Sequence, residues 1–133
     1  MSKIRVLLAD DYRPLLESVL RLLGPEFEIV GEAQNGQALV EAALKLKPDV
    51  IVTDISMPIL NGIEAAKRLR EAGSTSKIVF LTALSDPASI SNYMATGALG
   101  YVAKGRLVSD LESAIREAAA GRIFISPALD SES

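Results

Sequence analysis

The stretch IRVLLADDYRPLLESVLRLLG, residues 4–24, joins a short apolar run to an amphipathic helix through an acidic turn. The run IRVLLA is rich in Ile, Val and Leu, which is typical of a strand covered on both faces in a parallel sheet. From Pro14 onward the leucines recur at helical spacing, and the pattern stops at Gly24. The stretch therefore predicts a buried β-strand followed by a helix that packs on its sheet.

The same alternation of strand and helix continues along the chain. Further strands are predicted at residues 28–33, 50–53, 77–82 and 100–103, and further helices at 36–46, 63–72, 87–95 and 107–120. Asn35 suits the N-cap of the second helix, whereas the helix at 87–95 has the weakest pattern because it is rich in poor helix formers such as Ser89 and Ser91. Five alternating pairs predict an α/β fold, a doubly wound five-stranded parallel sheet with helices on both faces.

The length of 133 residues is that of one ordinary domain with one core. We predict that residues 1–121 form this domain, because the alternating pattern ends at Gly121. The remaining sequence, RIFISPALDSES, does not continue the pattern and ends in polar residues. Residues 122–133 are therefore predicted to be a C-terminal tail or the start of a linker.

The composition excludes several classes of function. A chain with no histidine and no cysteine has no histidine base, no thiol nucleophile and no ordinary zinc site. The net charge of −3 argues against sequence-independent binding to phosphate backbones. No apolar run reaches the roughly 18 residues of a membrane span, and no signal segment opens the chain. We therefore expect a cytoplasmic protein without membrane contact.

Polar residues stand where the predicted strands end. Asp10 and Asp11 follow the first strand, Asp54 the third, Thr82 ends the fourth, and Lys104 comes just after the fifth. Each has an ordinary explanation when taken alone: a helix cap, a turn before PILNG, a strand residue or a surface lysine. Ligands of doubly wound sheets bind outside the carboxyl ends of the strands, so the combination favours a functional site.

These residue types favour phosphoryl chemistry. Three neighbouring carboxylates repel each other unless a cation lies among them, and oxygen ligands alone select a hard divalent ion such as Mg²⁺. An aspartate can act as a nucleophile and form an acyl phosphate. A nearby lysine and a threonine hydroxyl can then bind the phosphoryl oxygens.

Four motifs together resemble the receiver domain of bacterial two-component response regulators: LLADDYRP, VTDISMPILNG, FLTAL and GYVAKG. The resemblance covers residues 3–120 and implies a flavodoxin-like sheet with the strand order 2-1-3-4-5. It also implies that Asp54 is the phosphoacceptor. Mg²⁺ (or Mn²⁺) would be bound by Asp54, by Asp11 directly, by Asp10 directly or through water, and by the backbone carbonyl of Ser56.

The remaining roles also come from the resemblance. Lys104 would pair with the phosphoryl group, Thr82 would be the switch hydroxyl, and Tyr101 matches an aromatic whose inward or outward position accompanies activation. Gly105 departs from the pattern, because many receivers have a proline there. That departure, and the stretch SDLESAIREAAAGRIFISPAL, are similar to the NarL/FixJ class, in which a LuxR-type helix-turn-helix domain normally follows.

The resemblance implies a phosphorylation switch rather than an enzyme with steady turnover; only slow autodephosphorylation is expected. The phosphoryl group would come from a histidine of a partner sensor kinase, and phosphorylation could drive homodimer formation. DNA would be bound only through an output domain that this chain lacks, so we expect either a receiver separated from its output or a stand-alone receiver.

Three alternatives stay open on the sequence. A flavodoxin-like module that binds FMN would need a phosphate loop after the first strand, where this chain has ADDYRP. A hydrolase with an aspartyl nucleophile would carry a second Asp at the position of Ser56. A degenerate receiver would have lost a key residue, and none is lost here.

Overall fold

Six parallel strands form one sheet in the computed structural model, which describes residues 3–83 and 92–127. The strands are β1 (Arg5–Ala9), β2 (Glu28–Ala33), β3 (Val50–Asp54), β4 (Lys77–Thr82), β5 (Gly100–Ala103) and β6 (Phe124–Ile125). Their order is β2-β1-β3-β4-β5-β6, and every neighbouring pair is parallel. The predicted order of the first five strands is confirmed.

The helices that lie entirely within the described residues are α1 (Arg13–Leu23), α2 (Gly36–Leu46), α3 (Gly62–Glu71) and α4 (Leu107–Ala119), with short 3-10 turns at Gly24–Glu26 and Lys104–Arg106. Asn35 caps α2 as predicted, because its side-chain oxygen accepts a hydrogen bond from the Ala38 backbone N–H. The helix predicted at 87–95 lies mostly outside the described residues, which resume at Asn92.

Two apolar layers enclose the sheet because successive strand residues point to opposite faces. On one face, α1 and α4 pack against β1 and β3 through residues such as Leu16, Ile115 and Val6. On the other face, α2 and α3 pack through residues such as Leu39 and Leu69. Helices on both faces make the domain doubly wound, as predicted.

The short strand β6 is an addition to the predicted sheet. Phe124 and Ile125 pair with Gly100 and Tyr101 of β5, in the segment predicted to be a tail or linker. Two residues are too few to show a strand period in the sequence. The division of the chain at Gly121 stays a prediction.

None of the helices within residues 3–83 and 92–127 is both long enough and apolar enough to cross a membrane.

Candidate functional site

The carboxyl edge of the sheet collects the acidic residues of the first and third strands. Asp10 directly follows β1 and Asp54 ends β3, and these two strands are neighbours in the sheet. Asp11 lies beside Asp10 at the start of the loop to α1. One carboxylate oxygen of each of the three residues lies within 4.8 Å of the others. The three predicted carboxylates are therefore brought together.

Lys104 reaches the same cluster from the end of β5. Its Nζ lies 3.1 Å from Asp54 Oδ2 and 3.7 Å from Asp10 Oδ2. Asp10 and Asp54 are buried, whereas Asp11 is exposed. One ammonium faces three carboxylates, so the cluster keeps a negative excess that favours a further cation.

Asp10 shows most directly what the cluster lacks. Its Oδ1 accepts a hydrogen bond from the Tyr12 backbone N–H at 2.9 Å, but its buried Oδ2 has no hydrogen-bond partner among the described residues. Burial raises the pKa of Asp10; the charges of Asp54 and Asp11 raise it further, while the Tyr12 hydrogen bond and Lys104 act against this rise. A hard divalent cation would supply the missing partner, so the donor set fits one.

The loop after Asp54 is held by close backbone packing. A Cβ atom on Gly62 would collide with the Asp54 carbonyl oxygen, and one on Gly36 would collide with the Leu60 carbonyl oxygen. Both positions therefore require glycine. The predicted ligand Ser56 lies in this loop and is exposed, between Ile55 and the buried Met57.

Thr82 lies between the acidic cluster and Lys104 in the sheet register. It is buried, it follows Leu81, which pairs with Asp54, and it pairs with Ala103, the residue before Lys104. The register thus places the predicted switch hydroxyl on the strand between the proposed phosphoacceptor and the lysine.

Tyr101 points into the core. Its side chain is fully buried, its hydroxyl donates a hydrogen bond to the Ala98 carbonyl at 2.6 Å, and its ring lies 6.2 Å from that of Phe80. Burial raises the pKa of Tyr101 to about 12. The structure therefore has the predicted aromatic residue in its inward position.

A polar network close to Lys104 was not predicted from the sequence. Arg106, Asp110 and Ser126 are joined by side-chain hydrogen bonds, and both Asp110 and Ser126 are buried. The four-residue spacing of Arg106 and Asp110 is a helical ion-pair signal that could have indicated part of the network. No local pattern connects Ser126 to it.

Comparisons with known proteins show which family and which relatives this domain resembles. The profile of the response regulator receiver domain family matches residues 6–116. The chain is 38% identical over 128 residues to the transcriptional regulatory protein YvfU of Bacillus subtilis, an alignment that covers 95% of this chain and 64% of YvfU. The chain spans between 54% and 64% of the length of the first curated relatives it matches.

Two solved structures are similar over nearly the whole chain. The signal receiver domain of the response regulator NarL from Mycobacterium tuberculosis has a TM-score of 0.87 and 29% identity, covering 92% of this chain and 100% of that one. The isolated REC domain of RcsB from Salmonella enterica serovar Typhimurium, in the presence of the phosphomimetic BeF₃⁻, has a TM-score of 0.86 and 27% identity, covering 96% of each chain.

Proposed function

The chain belongs to the response regulator receiver domain family, of the NarL/LuxR type, and on this premise we propose that it is a phosphorylation switch whose phosphoacceptor is Asp54. The observation that carries the proposal is the 3.1 Å pair of Asp54 and Lys104 beside the carboxylates of Asp10 and Asp11. The donor is a phosphohistidine on a sensor kinase, and a small acyl phosphate can replace it in vitro.

The chemistry needs few groups from the protein. A carboxylate oxygen of Asp54 attacks phosphorus in line, and the bond to the kinase imidazole nitrogen breaks with its electron pair leaving on that nitrogen. Lys104 moves from pairing with the Asp54 carboxylate to pairing with a phosphoryl oxygen. The Thr82 hydroxyl donates a hydrogen bond to another phosphoryl oxygen. The product is an acyl phosphate on Asp54.

We propose Mg²⁺, or Mn²⁺ in its place, as the resident cation. Asp11 would bind it directly, Asp10 directly or through water, and Asp54 and the Ser56 carbonyl would complete the protein ligands. The bound ion would neutralise the carboxylates and the transferring phosphoryl group. Because the buried Asp10 Oδ2 has no hydrogen-bond partner among the described residues, a cation bound there would also offset the cost of burying that oxygen.

Mg²⁺ is therefore expected to stabilise the wild-type protein. At ten times the dissociation constant the gain is about 1.4 kcal/mol, which corresponds to a rise in Tm of about 3–6 °C for a chain of this size. Calorimetry with and without MgCl₂, with NaCl at matched ionic strength as the control, measures it. The same rise in the NaCl control would show general screening instead of a site.

The switch runs from Asp54 through Thr82 to Tyr101. When Thr82 moves toward the phosphoryl group, it leaves space beside the already buried Tyr101. The Tyr101 ring shifts into that space, and the segment around Ala98 loses the hydrogen bond from the Tyr101 hydroxyl. One phosphoryl group thereby shifts the equilibrium between two packings of the same core.

Replacing Thr82 with alanine is expected to separate phosphoryl binding from switching. Beryllium fluoride should shift amide NMR signals near Asp54 in both proteins, but those of residues 98–103 at least about threefold less in the variant, since one coupling hydrogen bond is lost. Thr75→Ala, an exposed position before β4, is the matched control. Equal shifts in all three proteins would contradict this role of Thr82.

Two rival functions fit the site less well. An FMN phosphate placed before α1 would meet the carboxylates of Asp10 and Asp11. For an aspartyl hydrolase, the general acid would have to be the hydroxyl of Ser56, which does not release a proton near neutral pH. We therefore propose a signalling switch in the cytoplasm without steady hydrolytic turnover. Its output is transcription through a LuxR-type helix-turn-helix domain outside this chain, and phosphorylation promotes formation of a homodimer.

Phosphoryl acceptance itself is tested by intact-mass spectrometry after incubation with acetyl phosphate. With Mg²⁺ we expect one added phosphoryl group, and with EDTA none. Equal labelling in both samples would contradict the proposed metal-dependent reaction, and no labelling in either would contradict the switch.

A further inference from the structure

Ser126, the residue directly after β6, is fully buried and forms three hydrogen bonds. Its hydroxyl oxygen accepts from the Ala103 backbone N–H at 3.1 Å and donates its proton to Asp110 Oδ2 at 2.7 Å. Its own backbone N–H donates to the Tyr101 carbonyl at 2.8 Å. Ser126 thus fixes β5 on both sides of Val102, just before Lys104.

Asp110 holds the other side of the same turn. It lies in the first turn of α4 and is buried, and its carboxylate accepts from Arg106 Nε at 2.8 Å and Nη2 at 3.3 Å. The hydrogen bond from Arg106 keeps the pKa of Asp110 below its usual range, with the Ser126 hydroxyl acting in the same direction. Asp110 is therefore ionised and bonded at neutral pH.

Lys104 lies between the two fixed points. Its turn begins after Ala103, which Ser126 holds, and ends at Arg106, which Asp110 holds. The space beside Gly105 in the middle of the turn is open, since a Cβ atom there would meet nothing within 4 Å. The contacts of Ser126 and Asp110 therefore anchor the turn on both sides of Lys104, in addition to the pairing of Ala103 with Thr82 in the sheet.

We propose that Ser126 and Asp110 are positioning residues for Lys104, through which the segment after α4 sets the rate of phosphoryl transfer to Asp54. The inference rests on the proposed function, because it assigns the pair a role in that reaction. Through Ser126, the segment of residues 122–126 then contributes to the function of the domain. Lys104 Nζ forms ion pairs with both Asp54 and Asp10. A small displacement of the Lys104 backbone therefore changes both ion pairs.

The test is a double-mutant cycle on the rate of phosphorylation by acetyl phosphate at saturating Mg²⁺. Ser126→Ala is expected to slow the reaction about tenfold, within the range of small misplacements of a binding group. In a Lys104→Ala background the same change should have no further effect, because the group it positions is gone. Ile125→Val, which trims β6 without touching the network, should retain the wild-type rate.

A merely structural role gives a different pattern. Ser126→Ala would then slow the Lys104→Ala protein by the same factor as the wild type, or Ile125→Val would slow the reaction equally, and either result would overturn the proposal. An unchanged rate in Ser126→Ala would also overturn it. Failure of wild-type phosphorylation would instead overturn the proposed function, and this inference with it.

A second variant keeps the test decisive if Ser126→Ala does not fold. Asp110→Asn retains the size of the side chain and an oxygen for the Ser126 hydroxyl, but it loses the charge that holds Arg106. Its rate should fall in the same direction, and hydrogen exchange of the Ala103 and Lys104 amides should accelerate. A wild-type rate in Asp110→Asn would contradict the role of Asp110 and with it the pair.

Discussion

Asp54→Asn is expected to lower phosphoryl acceptance by at least about a hundredfold, as loss of a covalent nucleophile does. The amide has nearly the same shape as the carboxylate, but it cannot form the acyl phosphate. Lys104 loses the negative charge of its 3.1 Å partner and keeps the 3.7 Å contact with the Asp10 carboxylate. The measurement is the fraction of protein labelled by acetyl phosphate in intact-mass spectra, together with binding of beryllium fluoride.

The matched control is Asp49→Asn. Asp49 is exposed and lies immediately before β3, at the opposite edge of the sheet from Asp54. Its side chain accepts a hydrogen bond from the Arg5 backbone N–H, which an asparagine oxygen can also accept. The control should label like the wild type. Undiminished labelling of Asp54→Asn would show that another residue is the phosphoacceptor.

Asp11→Ala is expected to abolish the Mg²⁺-dependent phosphorylation while the fold is kept. Asp11 is exposed, so its methylene contributes little to the core. Its removal takes one charge from three mutually repelling carboxylates, which should raise the stability of the metal-free protein by at most about 1 kcal/mol after solvent screening. The rise in Tm on addition of Mg²⁺ should disappear, and labelling should fall to the level seen with EDTA.

Glu71→Ala, an exposed acid at the end of α3, removes the same charge away from the cluster and should keep the response to Mg²⁺. An Asp11→Ala protein that still gains stability from Mg²⁺ would show that the ion binds elsewhere. An Asp11→Ala protein that unfolds would return Asp10 and Asp11 to a structural role in the turn before α1.

The sequence was enough to predict the strands that carry the site, because each strand end combines an apolar run with an abrupt polar residue. Asp10 and Asp54 needed only the strand order to be placed together, and β1 and β3 are indeed neighbours. Lys104 follows in the same way from β5. These predictions use local patterns plus one rule on parallel sheets.

Other features depend on contacts that leave no local pattern. Ser126 meets Ala103 across 23 positions of sequence, and β6 is only two residues long. The turn PILNG is recognisable from its Pro, Asn and Gly, but the positive φ of 70° falls on Ile59, a residue type that rarely adopts it. Asp10 Oδ2 has no hydrogen-bond partner within residues 3–83 and 92–127. This feature becomes visible only when burial is known, because it depends on everything packed around that atom.

The most direct test of the central claim is the location of the phosphoryl group in the wild-type protein. After reaction with acetyl phosphate and Mg²⁺, borohydride reduction converts an aspartyl phosphate into homoserine, and fragment-ion mass spectrometry identifies the residue changed. We predict homoserine at Asp54 alone among the aspartates, and only when Mg²⁺ was present. Homoserine at Asp10 or Asp11, or an Asp54 unchanged in a labelled protein, would contradict the account.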